Sequence, residues 1–124
     1  MTNDTKKILI VDDEPHVSAI LKQFLERSGY QVKTVLNGQQ ALMQIAQDRP
    51  DLLITDVQMP VMNGIELCER VGHEVPQLND LIIMMTSRTD SHIRTWAKSK
   101  KHIELMEKPL SMRRLLIRLN EYFA

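Results

Sequence analysis

Asp12, Asp13, Asp56, Thr86 and Lys108 are the residues whose types suit one shared reaction, provided that folding brings them together. Each follows a short apolar run: KILIV stops at Asp12-Asp13, LLIT at Asp56, LIIMM at Thr86, and IELM at Glu107-Lys108. Three carboxylates gathered in one place repel one another unless something positive sits between them, and one lysine cannot neutralise three acids. All-oxygen ligation selects a hard cation such as Mg²⁺, which keeps open positions and can bridge to a phosphoryl oxygen during in-line transfer. Thr86 could then donate its hydroxyl to one phosphoryl oxygen and Lys108 its ammonium to another.

Strands that end in these residues must alternate with helices for the strand ends to meet. Lys7 to Val11 is β-branched and apolar without alternation, as in a strand buried on both faces. From Pro15 the apolar spacing turns helical, with Val17, Ile20, Leu21, Phe24 and Leu25 on one stripe, until Ser28-Gly29. Gln31 to Val35 reads as a second strand, and Asn37 as the cap of a helix carrying Ala41, Leu42, Ile45 and Ala46. Leu52 to Thr55 is the third strand, followed by a loop and a helix from near Gly64. Leu81 to Met85 is the fourth, before a short helix with Ile93, Trp96 and Ala97. Ile103 to Met106 is the fifth, before a helix capped by Ser111 that carries Met112, Leu115, Leu116, Leu119 and Phe123. Five strands alternating with five helices predict an α/β fold, a doubly wound parallel sheet with right-handed crossovers and helices on both faces. Ligands of such sheets bind beyond the carboxyl ends of the strands, where the five polar residues fall.

The 124 residues suffice for one domain, expected over residues 1–124. Apolar residues make up 43% and charged residues 26%, far from the composition of disordered chains. No run approaches the ~20 apolar residues of a membrane-spanning helix, and MTNDTKK is no secretory signal, so a cytoplasmic location is expected. Cys68 is the single cysteine, which excludes an internal disulfide and reads as a small buried hydrophobe. The eight methionines read mainly as core filler. Residues 1 to 87 hold seven Lys and Arg against twelve Asp and Glu, whereas residues 88 to 124 hold nine against four, an asymmetry that hints at an acidic partner.

In this order, IVDDE, ITDVQMPVMNGIEL, MMTS and EKPL resemble the signature of response-regulator receiver domains, the CheY-like family, over nearly the whole chain. The resemblance implies strand order 2-1-3-4-5. It makes Asp56 the phosphoacceptor, with Asp13, Asp56 and the backbone carbonyl of Gln58 as direct Mg²⁺ ligands and Asp12 reaching the ion through water. Thr86 corresponds to the switch hydroxyl and Lys108 to the phosphate-contacting lysine, and the Lys108-Pro109 bond is expected to be cis. Gln58 and Arg88 occupy positions that tune the lifetime of the phosphoaspartate. The implied donor is a phosphohistidine on a sensor histidine kinase or a histidine phosphotransfer protein, or a small acyl phosphate. Such a chain catalyses only its own phosphorylation and dephosphorylation and is not an enzyme in the ordinary sense.

Two features depart from that family. The position three before Lys108, usually an aromatic that swings inward when the threonine engages the phosphoryl group, is Leu105. Lys101-His102 replaces a Gly-Ala pair, within a basic stretch of Arg94, Lys98, Lys100 and Lys101. With Arg113, Arg114 and Arg118 on the last helix, the face formed by the fourth helix, fifth strand and fifth helix is expected to be basic. In relatives this face docks outputs or a second receiver, which implies a downstream protein with an acidic surface or a phosphorylation-linked homodimer.

Other classes fit less well. A hydrolase of the haloacid dehalogenase type needs a second acid two residues after the phosphorylated aspartate, where this chain has Gln58. A flavodoxin needs a hydroxyl and amide loop after the first strand, where Asp12-Asp13-Glu14 would repel a phosphate. A receiver kept only for docking is disfavoured by the intact acidic set. The chain starts at Met1 and stops just after the last helix, so a stand-alone receiver is the expectation; the alternative is a receiver cut from a larger DNA-binding regulator or hybrid kinase. No helix-turn-helix fits after the last helix, so no direct contact with nucleic acid is expected, nor with a membrane.

Overall fold

A computed structural model describes residues 5–75, 81–87 and 91–124. Five strands, β1 (Lys7–Val11), β2 (Gln31–Val35), β3 (Leu52–Asp56), β4 (Ile82–Thr86) and β5 (Ile103–Glu107), alternate with five helices. These are α1 (Pro15–Arg27), α2 (Gly38–Gln47), α3 (Gly64–Glu74), α4 (Ser91–Lys98) and α5 (Met112–Phe123). All strand pairs are parallel, in the order β2-β1-β3-β4-β5.

The burial of each strand follows from its place. β3 and β4 are buried along their whole length, and β1 along all but Lys7, because helices cover both faces. The edge strands β2 and β5 keep polar residues and are only partly buried. Alternating strand residues feed two separate cores. Leu9, Val11, Leu53 and Met84 meet α2, α3 and α4 through Ala41, Ile45, Leu67, Val71, Ile93 and Ala97. Ile8, Ile10, Ile54 and Ile83 meet α1 and α5 through Leu21, Leu25, Leu115 and Leu119.

The helices begin where their caps allow. Asn37, Asn63 and Ser111 each accept a hydrogen bond from the backbone N–H three residues on, at Gln40, Glu66 and Arg114. α1 has no side-chain cap and starts on Pro15, whose missing N–H costs nothing in the first turn. Strands β3, β4 and β5 each extend one residue further than their apolar runs imply. Asp56, Thr86 and Glu107 are therefore the last strand residues, held by the ladder itself instead of lying in the loops after it.

Candidate functional site

The order β2-β1-β3-β4-β5 reverses direction between β1 and β3, and the residues closing these two strands lie at that reversal. Asp12, just beyond β1, is fully buried, and its N–H donates to the carbonyl of Val35, 3.1 Å away. Asp56 and Thr86 are 6% and 5% exposed. Among the described residues, only Ser18 and Thr55 join these three as buried polar or charged side chains. Burying acids this deeply is costly without a partner, so the surroundings of Asp12 and Asp56 decide what the site can do.

Lys108 supplies the fixed positive charge. Its Nζ lies 2.9 Å from Asp56 Oδ2, 3.1 Å from Asp12 Oδ2 and 3.6 Å from Glu14 Oε1. The backbone N–H of Lys108 donates to the Thr86 carbonyl at 2.8 Å, which ties the lysine to the end of β4, and the Lys108-Pro109 bond is cis as expected. Asp12 Oδ1 accepts from the N–H of Glu14 at 2.9 Å, and Asp56 Oδ1 from the N–H of Gln58 at 3.4 Å. Burial is the largest influence on Asp56 and pushes its carboxyl above the usual range; the Lys108 bond opposes this and the charge of Asp12 adds to it. Burial works against the charge of Lys108, but its bonds to Asp56 and Asp12 outweigh that and raise its pKa.

One carboxylate oxygen each from Asp12, Asp13, Glu14 and Asp56 lies within 4.8 Å of the others. Asp13 and Glu14 are exposed, Asp12 and Asp56 buried, so the cluster opens to solvent on one side. Four carboxylates against one ammonium leave an excess of negative charge on hard oxygen donors, and these residues fit Mg²⁺. Sequence reasoning had placed Asp12, Asp13 and Asp56 together, but Glu14 only as a repulsive neighbour.

The loop after Asp56 is held by packing that only the structure displays. A Cβ at Gly64 would collide with the backbone carbonyl oxygen of Asp56, so α3 can start this close to the acceptor only with glycine there. Gly64 N–H also donates to the Val57 carbonyl at 2.8 Å, and Met62 is buried against Gly38 at the start of α2. Between them, the exposed Val61 holds φ at 71°, a conformation a β-branched residue rarely adopts. The exposed Gln58 lies on this loop beside Asp56, whereas Arg88 lies outside the described residues.

The face of α4, β5 and α5 is less uniformly basic than composition implies. Arg118 Nε sits 2.7 Å from Glu104 Oε1, and Arg94 lies 3.7 Å from Glu107, so acids on β5 answer two of the seven cations. Lys98, Lys101, Arg113 and Arg114 are exposed and pair with no acid among the described residues. Leu105 is half-buried, packs toward the core under α4, and lines a groove of about 550 Å³ with Met106, Lys108 and Arg114.

Residues 8–120 match the model of the response regulator receiver domain family, and the chain belongs to that family. It is 35% identical over 114 residues to the alkaline phosphatase synthesis transcriptional regulatory protein PhoP of Bacillus subtilis, covering 92% of this chain and 47% of that protein. It is 36% identical to the phosphate regulon transcriptional regulatory protein PhoB of Rhizobium meliloti, covering 91% of this chain and 50% of PhoB. The chain thus spans about half the length of these curated relatives. The chemotaxis response regulator CheY4 of Vibrio cholerae superposes with a TM-score of 0.85 at 30% identity, covering 95% of this chain and 98% of CheY4. The signal receiver domain of a histidine kinase from Syntrophus aciditrophicus gives 0.86 at 30%, covering 96% of this chain and 90% of that one. No helix among the described residues is long and apolar enough to cross a membrane.

Proposed function

We propose that this receiver domain, extending over residues 1–124 and working in the cytoplasm, accepts a phosphoryl group on Asp56 and thereby changes what its α4-β5-α5 face binds. The observation that carries this reading is the placement of Asp56: a buried carboxylate at a strand end, in contact with Lys108, within a cluster of three further acids. Asp13, Asp56 and the carbonyl of Gln58 would hold Mg²⁺ directly and Asp12 through water. When bound, the ion would neutralise charge on the carboxylates and on the transferring phosphoryl oxygens.

The chain's own residues do the rest. A carboxylate oxygen of Asp56 attacks phosphorus, the bond to the donor nitrogen breaks, and the electron pair leaves with the imidazole of the phosphohistidine. Lys108, already 2.9 Å from Asp56 Oδ2, turns its ammonium onto a phosphoryl oxygen, and the Thr86 hydroxyl donates to another. Gln58 and Arg88 set how readily water reaches the phosphoaspartate. A sensor histidine kinase or phosphotransfer protein donates, and the chain acts on no other substrate.

The downstream partner carries an acidic surface complementary to Lys98, Lys101, Arg113 and Arg114, and a phosphorylation-linked homodimer would use the same face. Because the curated relatives are about twice as long and are transcriptional regulatory proteins, a receiver joined to an output domain is the context these comparisons favour over a stand-alone one. The reading is tested by incubation with acetyl phosphate and Mg²⁺, where intact mass should rise by one phosphoryl group in the wild type and not in Asp56→Asn.

A further inference from the structure

A second concave site lies between α3 and α4, toward the opposite end of the sheet from Asp56. Gly64 begins α3 against Asp56, and Gly72 lies eight residues later, roughly 12 Å along the helix at about 1.5 Å per residue. There a groove of about 340 Å³ opens between Cys68, Gly72 and His73 on one side and Trp96, Lys100 and His102 on the other. Its size falls at the lower end of the ~300–1,000 Å³ usual for small-molecule sites.

Gly72 is the unexpected element. It is exposed within helical backbone, and a Cβ built there would meet nothing within 4 Å among the described residues. Glycine weakens a helix relative to alanine, and no described neighbour demands it here, in contrast to Gly64. What its absent side chain does is leave backbone bare on the wall of the groove. The floor is apolar, with Cys68 and Ile103 buried and Trp96 half-buried. The rim carries the Lys100 ammonium and two imidazoles, His73 and His102, against one carboxylate, Glu69, and Lys100 is in no ion pair among the described residues. An indole beside a bare stretch of backbone fits a flat ring, and the cation and imidazole donors fit an anionic group attached to it.

We infer that the α3-α4 groove binds a small planar aromatic anion, with its ring against Trp96 and the bare backbone at Gly72 and its acid group on Lys100. Trp96 is the only tryptophan of the chain, so its indole N–H gives one NMR resonance that reports on this groove and that the probes themselves do not contribute to in a 15N-labelled protein. The probes are indole-3-acetate, salicylate and adenosine monophosphate, with indole and inorganic phosphate as controls for ring and charge taken separately. At least one aromatic anion should shift the Trp96 indole N–H resonance saturably in the sub-millimolar range, with backbone amide shifts centred on residues 68–73 and 96–103. Gly72→Leu, which fills the groove from a position with free space, and Lys100→Gln should each weaken binding by about tenfold or more. Gly72→Leu should melt no lower than wild type, which separates loss of the groove from loss of the fold. Absence of saturation with all three anions, equal binding by Gly72→Leu, or shifts centred elsewhere would each overturn the inference.

Discussion

The Nζ of Lys108 stands 2.9 Å from Asp56 Oδ2 and 3.1 Å from Asp12 Oδ2, bridging acids from the ends of two adjacent strands. It offsets the mutual repulsion of the buried carboxylates, so Lys108→Met leaves them facing each other without a fixed counter-charge. Removing one partner of a buried pair costs ~3–5 kcal/mol, and the opening of this site to solvent reduces that to about 2 kcal/mol. Mg²⁺ should restore much of the loss. Urea unfolding of wild type and variant, with and without the ion, checks this; an equal deficit in both conditions would contradict it.

Gly64→Ala should be far more harmful than an exposed Gly→Ala change. Its methyl group would strike the Asp56 carbonyl, where only backbone can give way. A loss of about 3 kcal/mol is expected, at the upper end for single substitutions, together with slower phosphorylation as the loop is pushed off Asp56. Gly72→Ala, with nothing among the described residues within 4 Å of the new Cβ, should stabilise by about 0.5–1 kcal/mol. Thermal melting of the pair gives opposite signs if the close approach is real.

Cys68 is 3% exposed, and burial, aided by the charge of Glu69, pushes its thiol up to about 12 from an ordinary 9.0. The sign follows: above pH 9.0 the unfolded chain loses this proton and the folded chain keeps it, so Cys68 withdraws stability as pH rises from 9 toward 12. Cys68→Ala pays for a small cavity at pH 7, and its deficit should shrink by pH 10.5. Native wild type should also react with thiol reagents at pH 8 far more slowly than the urea-unfolded chain.

Ser18 Oγ is buried on α1 with no hydrogen-bond partner among the described residues. An unsatisfied buried hydroxyl costs about 1–3 kcal/mol, and Ser18→Ala removes the cost while leaving a gap of one atom. The variant should be as stable as wild type or up to about 1 kcal/mol more so, by chemical denaturation. A clear loss would mean that the hydroxyl has a partner after all.

How much of this was legible beforehand depended on range along the chain. The central strands announced themselves because burial on both faces demands unbroken apolar runs, and the first polar residue after each run marks the edge where the site forms. Asn37 and Ser111 were legible because a cap and its N–H are three residues apart. The same local logic placed Asp56 and Thr86 just after their strands, because a strand's last residue is defined by a neighbour's ladder and not by its own polarity. The need for glycine at Gly64, the seating of Met62 on Gly38 and the answering of Arg118 by Glu104 are contacts across the fold that composition does not encode. For that reason the expected all-basic face is partly neutralised. The order of the strands came from family resemblance, and the sheet has that order.

Phosphorylation at Asp56 is tested most directly by intact mass after exposure to acetyl phosphate with Mg²⁺ or with a chelator, for wild type and Asp56→Asn. The account predicts a metal-dependent gain of one phosphoryl group in the wild type alone. An equal gain in Asp56→Asn, or no gain in the wild type even with a phosphorylated histidine kinase as donor, would contradict it.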